Sequence, residues 1–116
     1  MYANRLGQLY LERGRLYLAQ KQWAKAEQDA EKAKNLFHFW NEEHSLAEDL
    51  WCCAKVGQKE RQIALDSYPE VPDDKGPVAA LLRLHSAQLR GEPSPQLEEK
   101  PLWHLQPCPL CSSKPE

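Results

Sequence analysis

The chain contains no run approaching the ~20 apolar residues that a membrane-spanning helix needs. No apolar stretch of signal-peptide length follows its start either, where Arg5 arrives early. Neither sign of charge dominates: 15 Lys and Arg against 17 Asp and Glu leave a formal net charge of −2. That gives no electrostatic reason to expect nucleic acid or an anionic membrane, whose binding needs a concentrated basic surface. Four cysteines without a secretory start read as reduced thiols, or one pair of metal ligands, rather than as disulfides. A Gly-rich phosphate loop is missing, as is a nucleophile set beside a base. The expectation is therefore an intracellular protein, cytoplasmic or nuclear, that is not an enzyme and has no nucleic-acid or membrane partner.

What the chain does have is helical periodicity. From Ala3 to Gln20, Leu6, Leu9, Tyr10, Leu16 and Tyr17 recur at three- and four-residue steps and predict one amphipathic helix. Gly7 and Gly14 interrupt it at roughly 1 kcal/mol each against Ala. Gly7 suits close approach of a second helix, and Gly14 suits either that or a bend. After a short polar connection, Trp23, Ala26, Ala30, Ala33, Phe37 and Trp40 mark a second helix. Its seam is small in the middle and aromatic at the end, a pattern for tight helix–helix contact. Its polar side, including Lys25, Glu27, Asp29 and Lys32, reads as solvated.

A third helix is predicted over Leu46–Val56, with Ser45 and Glu48 as a capping box. The segment 59–68 is compatible with helix. The prolines and glycine of 68–77 predict a connector, and Pro77 opens a further amphipathic helix that Gly91 ends. Six of the nine prolines follow Glu92. The expected organisation is a helical domain over 1–67, a linker over 68–77, a helix over 78–91, and a Pro-rich, irregular tail over 92–116.

The first two helices resemble a tetratricopeptide repeat, a 34-residue helix–turn–helix unit. Leu6-Gly7 stands at the family's Leu-Gly pair and Tyr10 at its aromatic. Ala19 stands at the small residue ending the first helix, with Trp23 and Ala26 opening the second. Ala3 replaces the usual Trp and Glu31 the closing Pro, so the second helix is expected to continue toward Trp40. That is similar to the longer repeat variant of kinesin light chains, with Gly14 and Gly57 as equivalent points. The resemblance implies an all-α interaction scaffold that binds a peptide or a protein helix. Asn4 and Gln8 stand where chaperone carboxylate clamps carry Lys and Asn, so that mode is not expected. A peptide groove using Asn4, Gln8 and Leu11, or an aromatic patch of Phe37, Trp40 and Trp51, is the implied partner surface. Fewer than three stacked repeats rarely bury a sufficient core, so self-association is expected too. The chain reads equally as a shortened form of a longer repeat protein.

The sharpest metal pattern is Cys108-Pro-Leu-Cys111, with His104 upstream, where two thiolates reach one zinc. It supports a rival reading, a zinc-dependent assembly factor. A second CxxC is missing, and adjacent Cys52 and Cys53 point apart on a helix. His38 and His44 beside Glu42 and Glu43 read as turn polarity. His85, on an apolar face, reads as a partly buried, hydrogen-bonded histidine.

Overall fold

The computed structural model describes residues 2–37, 42–71 and 76–92. They form α1 (Tyr2–Ala19), α2 (Trp23–Leu36), α3 (Glu42–Gly57), α4 (Arg61–Ser67) and α5 (Pro77–Arg90), with no strand among the described residues. The all-α class follows directly.

α1 buries the row Gly7, Leu11, Gly14 and Leu18 and leaves Leu9 and Leu16 outside. The expected stripe is thereby corrected. Two leucine rows lie on opposite sides of this helix, and the glycines decide between them, because only their row lets neighbours come close. A Cβ at Gly7 would stand 2.8 Å from the Phe37 ring, and one at Gly14 would stand 2.7 Å from Leu50 Cδ2. Both glycines are packing contacts, and Gly14 lies within the unbroken span of α1. On α2 the expected alanine seam of Ala26, Ala30 and Ala33 is fully buried, between α1 and α3.

α2 does not continue toward Trp40. It ends at Leu36, and Phe37 turns extended while its N–H donates to the Ala33 carbonyl. The ring of Phe37 then folds back into the core over Gly7. α3 begins at Glu42, so Ser45 lies inside the helix and is no cap. Acidic Glu42 and Glu43 occupy its first turn instead, where the helix dipole favours them.

The α1–α2 turn recurs between α3 and α4. Lys21 and Lys59 both take positive φ, 61° and 66°, at the ends of α1 and α3. In each turn the next residue donates its N–H five residues back, Gln22 to Tyr17 and Glu60 to Lys55. This helix-stop geometry is normally glycine's, so the sequence carries no flag for it. The two hairpins thus repeat with a step of 38 residues (Lys21 against Lys59), which sets Ala26 opposite Ala64, both fully buried. Cys52, not Gly57, is the counterpart of Gly14. Gly57 makes room for a different neighbour. A Cβ there would stand 2.3 Å from the Trp23 ring, which packs across it.

Three polar ties join the first three helices. Arg13 donates two bonds of 2.8 Å to the buried carboxylate of Asp29. Gln8 reaches Glu43 at 3.2 Å. Glu27 accepts from Lys55 at 2.9 Å and from Gln58 at 2.7 Å. The polar side of α2 is therefore not simply solvated: Asp29 and Glu27 face neighbouring helices. Burial works to raise the Glu27 carboxyl pKa, but the hydrogen bonds from Gln58 and Lys55 outweigh it and leave it lowered. Lys55 is raised, first by its bond to Glu27. A carboxyl lowered on folding stabilises above its unfolded pKa, near 4.5, and loses that as pH falls through the folded value. A lysine raised on folding stabilises below its unfolded pKa, near 10.5. Glu27→Gln is therefore expected to cost about 0.5–1 kcal/mol between those limits. The difference from wild type should vanish in acid, as read by denaturant midpoints across pH.

α5 starts at Pro77 after Gly76 and ends at Gly91 in the left-handed conformation, as the sequence leads one to expect. It lies on α3 and α4. Arg61 of α4 donates to the Gln88 and Leu89 carbonyls at its end. Within the expected linker, Tyr68 and Val71 pack against the core.

Candidate functional site

Two features stand apart from ordinary packing. The first is the outer side of α1. Leu9 and Leu16, one heptad apart, are 62% and 52% exposed, the most exposed large hydrophobics among the described side chains of this helix. They come from a short internal echo, Leu9-Tyr10-Leu11 and Leu16-Tyr17-Leu18, seven residues apart. In each triplet the last leucine is buried, the tyrosine is half-buried and the first leucine faces out. A shallow groove of about 430 Å³ runs along this ridge, lined by Leu6, Leu9, Tyr10, Glu12, Arg13 and Leu16.

Cations flank the ridge on its α2 side. Arg13 lies over the rings of Tyr10 and Tyr17, at 5.5 and 5.7 Å from their centres. Lys32 covers Tyr10 at 5.4 Å, and Lys25 covers Tyr17 at 5.5 Å. Each contact sets a cation against the electron-rich face of a ring. Lys25 and Lys32 thus stand beside the leucines with Arg13, whose own charge is paired with Asp29. The Asp29 pair raises the pKa of Arg13 further, so its charge is permanent.

The second feature is a buried polar cluster between α3, α5 and the segment after α4. Nδ1 of His85 lies 2.7 Å from Asp49 Oδ1, and the Tyr68 hydroxyl donates to the same oxygen at 2.6 Å. Tyr68 also reaches the Leu82 carbonyl at 3.2 Å. The Cys53 thiol sits 3.9 Å from Asp49 Oδ2 and 3.8 Å from His85 Nδ1. Three of the four are sealed, with His85 0% exposed, Cys53 1% and Asp49 5%, while Tyr68 is half-buried. Burial, then Asp49, pushes the Tyr68 pKa up, so its hydroxyl stays a donor. Burial pulls the nearby Arg15 guanidinium down to about 10, against the pull of Asp49, and it stays charged at neutral pH.

The cluster is no nucleophile–base relay. Such a relay passes through both ring nitrogens, whereas thiol and carboxylate here approach the same one, away from any substrate. Cys52 points elsewhere, to the Ala64 carbonyl at 3.5 Å, and burial raises its pKa. The two adjacent cysteines do diverge, as their spacing on a helix implies.

The sequence-derived partner residues do not assemble into one surface. Leu11 is 1% exposed and Phe37 6%, both core residues. Gln8 is occupied by Glu43. Asn4 falls in α1, but its side chain lies outside the described residues, as does Trp40. Trp51 is half-buried beside a small cavity of about 70 Å³ with Lys34, Glu48 and Ser67, and Lys55 lies over its ring at 5.2 Å. Cys108 and Cys111 also lie outside the described residues. His44 stands 3.0 Å from Glu48 within α3. Periodicity alone assigns the leucine ridge to the core stripe; the cue that places it outside is the competing row of glycines. No family model matches the chain, and neither a curated protein nor a solved structure matches it.

Proposed function

We propose that this protein is a helical interaction module, tetratricopeptide-like in its paired hairpins, which seats a partner's amphipathic helix along the outer side of α1. The observation that carries the reading is the pair of exposed leucines, Leu9 and Leu16, on a helix whose Leu11 and Leu18 are buried. Burying what remains exposed of both would contribute roughly 1–2 kcal/mol each. A heptad step is also what a second helix presents when it lies nearly parallel or antiparallel to the first. The flank of Arg13, Lys25 and Lys32 selects the partner: an apolar stripe bordered by Asp or Glu complements it, and a basic border is repelled. This is a helix-on-helix mode, unlike a carboxylate clamp.

The probe is a synthetic helix with leucine at heptad positions and glutamate on its borders, compared with the same helix bordered by lysine. The glutamate form is expected to bind, more weakly as salt rises. Leu9→Glu with Leu16→Glu is expected to weaken binding about 100-fold or more with unchanged circular dichroism. Equal binding of both peptides contradicts the reading. Self-association abolished by the same two substitutions would assign the ridge to a second copy instead.

A further inference from the structure

We infer that Asp49, Cys53 and His85 form a closed site for a divalent metal of the zinc class. Asp49 and Cys53 are one helical turn apart on α3, and His85 meets them from α5. Their donor atoms all lie within 4.8 Å of one another. Tetrahedral zinc with ligands near 2.0–2.3 Å sets its donors about 3.3–3.6 Å apart. The sulfur stands 3.8 Å from His85 Nδ1 and 3.9 Å from Asp49 Oδ2, so a few tenths of an ångström bring them to that spacing. Ligation through Oδ2 leaves Oδ1 to keep the Tyr68 hydroxyl, which then steadies the ligating carboxylate as outer-shell partners do. The 2.7 Å approach of Nδ1 to Oδ1 is exchanged for the metal bond.

Charge balance favours the same assignment. One thiolate, one carboxylate and one neutral imidazole offset the two charges of the cation, and the charge of the nearby Arg15 lies outside that set. A neutral complex suits a pocket in which a lone ion would be costly. The thiol proton leaves when the metal binds. One thiolate, one nitrogen and one oxygen suit zinc or cobalt rather than calcium or magnesium, which take oxygen alone. With all three side chains sealed, the ion enters as the chain folds, and its binding energy becomes folding energy.

The test uses the full chain carrying Cys108→Ser and Cys111→Ser, refolded with cobalt(II). One equivalent is expected to remain after gel filtration, with a thiolate-to-cobalt band in the near ultraviolet and visible bands of tetrahedral strength. Adding Cys53→Ser should remove the thiolate band. At a hundredfold excess of zinc over its Kd, the folded-to-unfolded ratio should rise about 100-fold. Should Cys53→Ser fail to fold, cadmium-113 resonance on the parent variant decides, since one bound sulfur shifts less than two. No bound cobalt overturns the proposal and leaves a hydrogen-bonded core. A band that survives Cys53→Ser, or that appears only with the tail cysteines present, overturns it as well.

Discussion

Asp49→Ala is expected to lower stability by about 3–5 kcal/mol, which is a large share of what a domain of this size has to spare. The carboxylate receives His85, Tyr68 and Cys53 where water cannot replace it. Its removal strands buried donors, each costing about 1–3 kcal/mol. Tyr68 loses least, because the Leu82 carbonyl still accepts from it. Asp49→Asn keeps an acceptor and should cost less. Replacing Asp49 and His85 together by apolar residues should recover part of the loss, because the His85 ring is then no longer stranded in the core. Urea midpoints at constant m-value measure all three.

Leu82→Ala is expected to cost about 2–5 kcal/mol, comparable to a loss in any well-filled core. Leu81 and Leu82 are both fully covered, and Leu82 sits one turn from His85. α5 is therefore part of the same core as α3 and α4, although the prolines before it read as a linker. Leu9→Ala, by contrast, should stay within about 0.5 kcal/mol, as exposed substitutions do. The contrast separates a leucine held by the fold from one that the fold leaves outside. Thermal or denaturant unfolding of both variants checks it.

Much of the architecture is written in local chemistry. Pro77 and Gly91 bracket α5 because a missing N–H is harmless at a helix start and a left-handed residue closes a helix end. The alanines of α2 mark a close contact because nothing larger fits between three helices. The turns at Lys21 and Lys59 are silent, since lysine there adopts what glycine usually supplies. That silence hides the 38-residue step, although α4 lies within the helix-compatible segment 59–68. The buried cluster is half legible: Asp49 and Cys53 share a helical face, but His85 joins them across 36 residues. No periodicity encodes such a meeting. Phe37 and Leu11 illustrate the opposite case. Both suit a partner surface by their place in the repeat pattern, yet the fold turns them inward.

The outward row of α1 is the claim on which the functional reading rests, and methyl NMR addresses it directly. On titration with the glutamate-bordered helix, the Leu9 and Leu16 methyl signals are expected to shift and saturate together. Leu11 and Leu18, buried on the opposite side, should hold still, and the lysine-bordered helix should move none of the four. Saturating shifts confined to residues away from α1, or Leu9 and Leu16 signals that never move, would contradict the account.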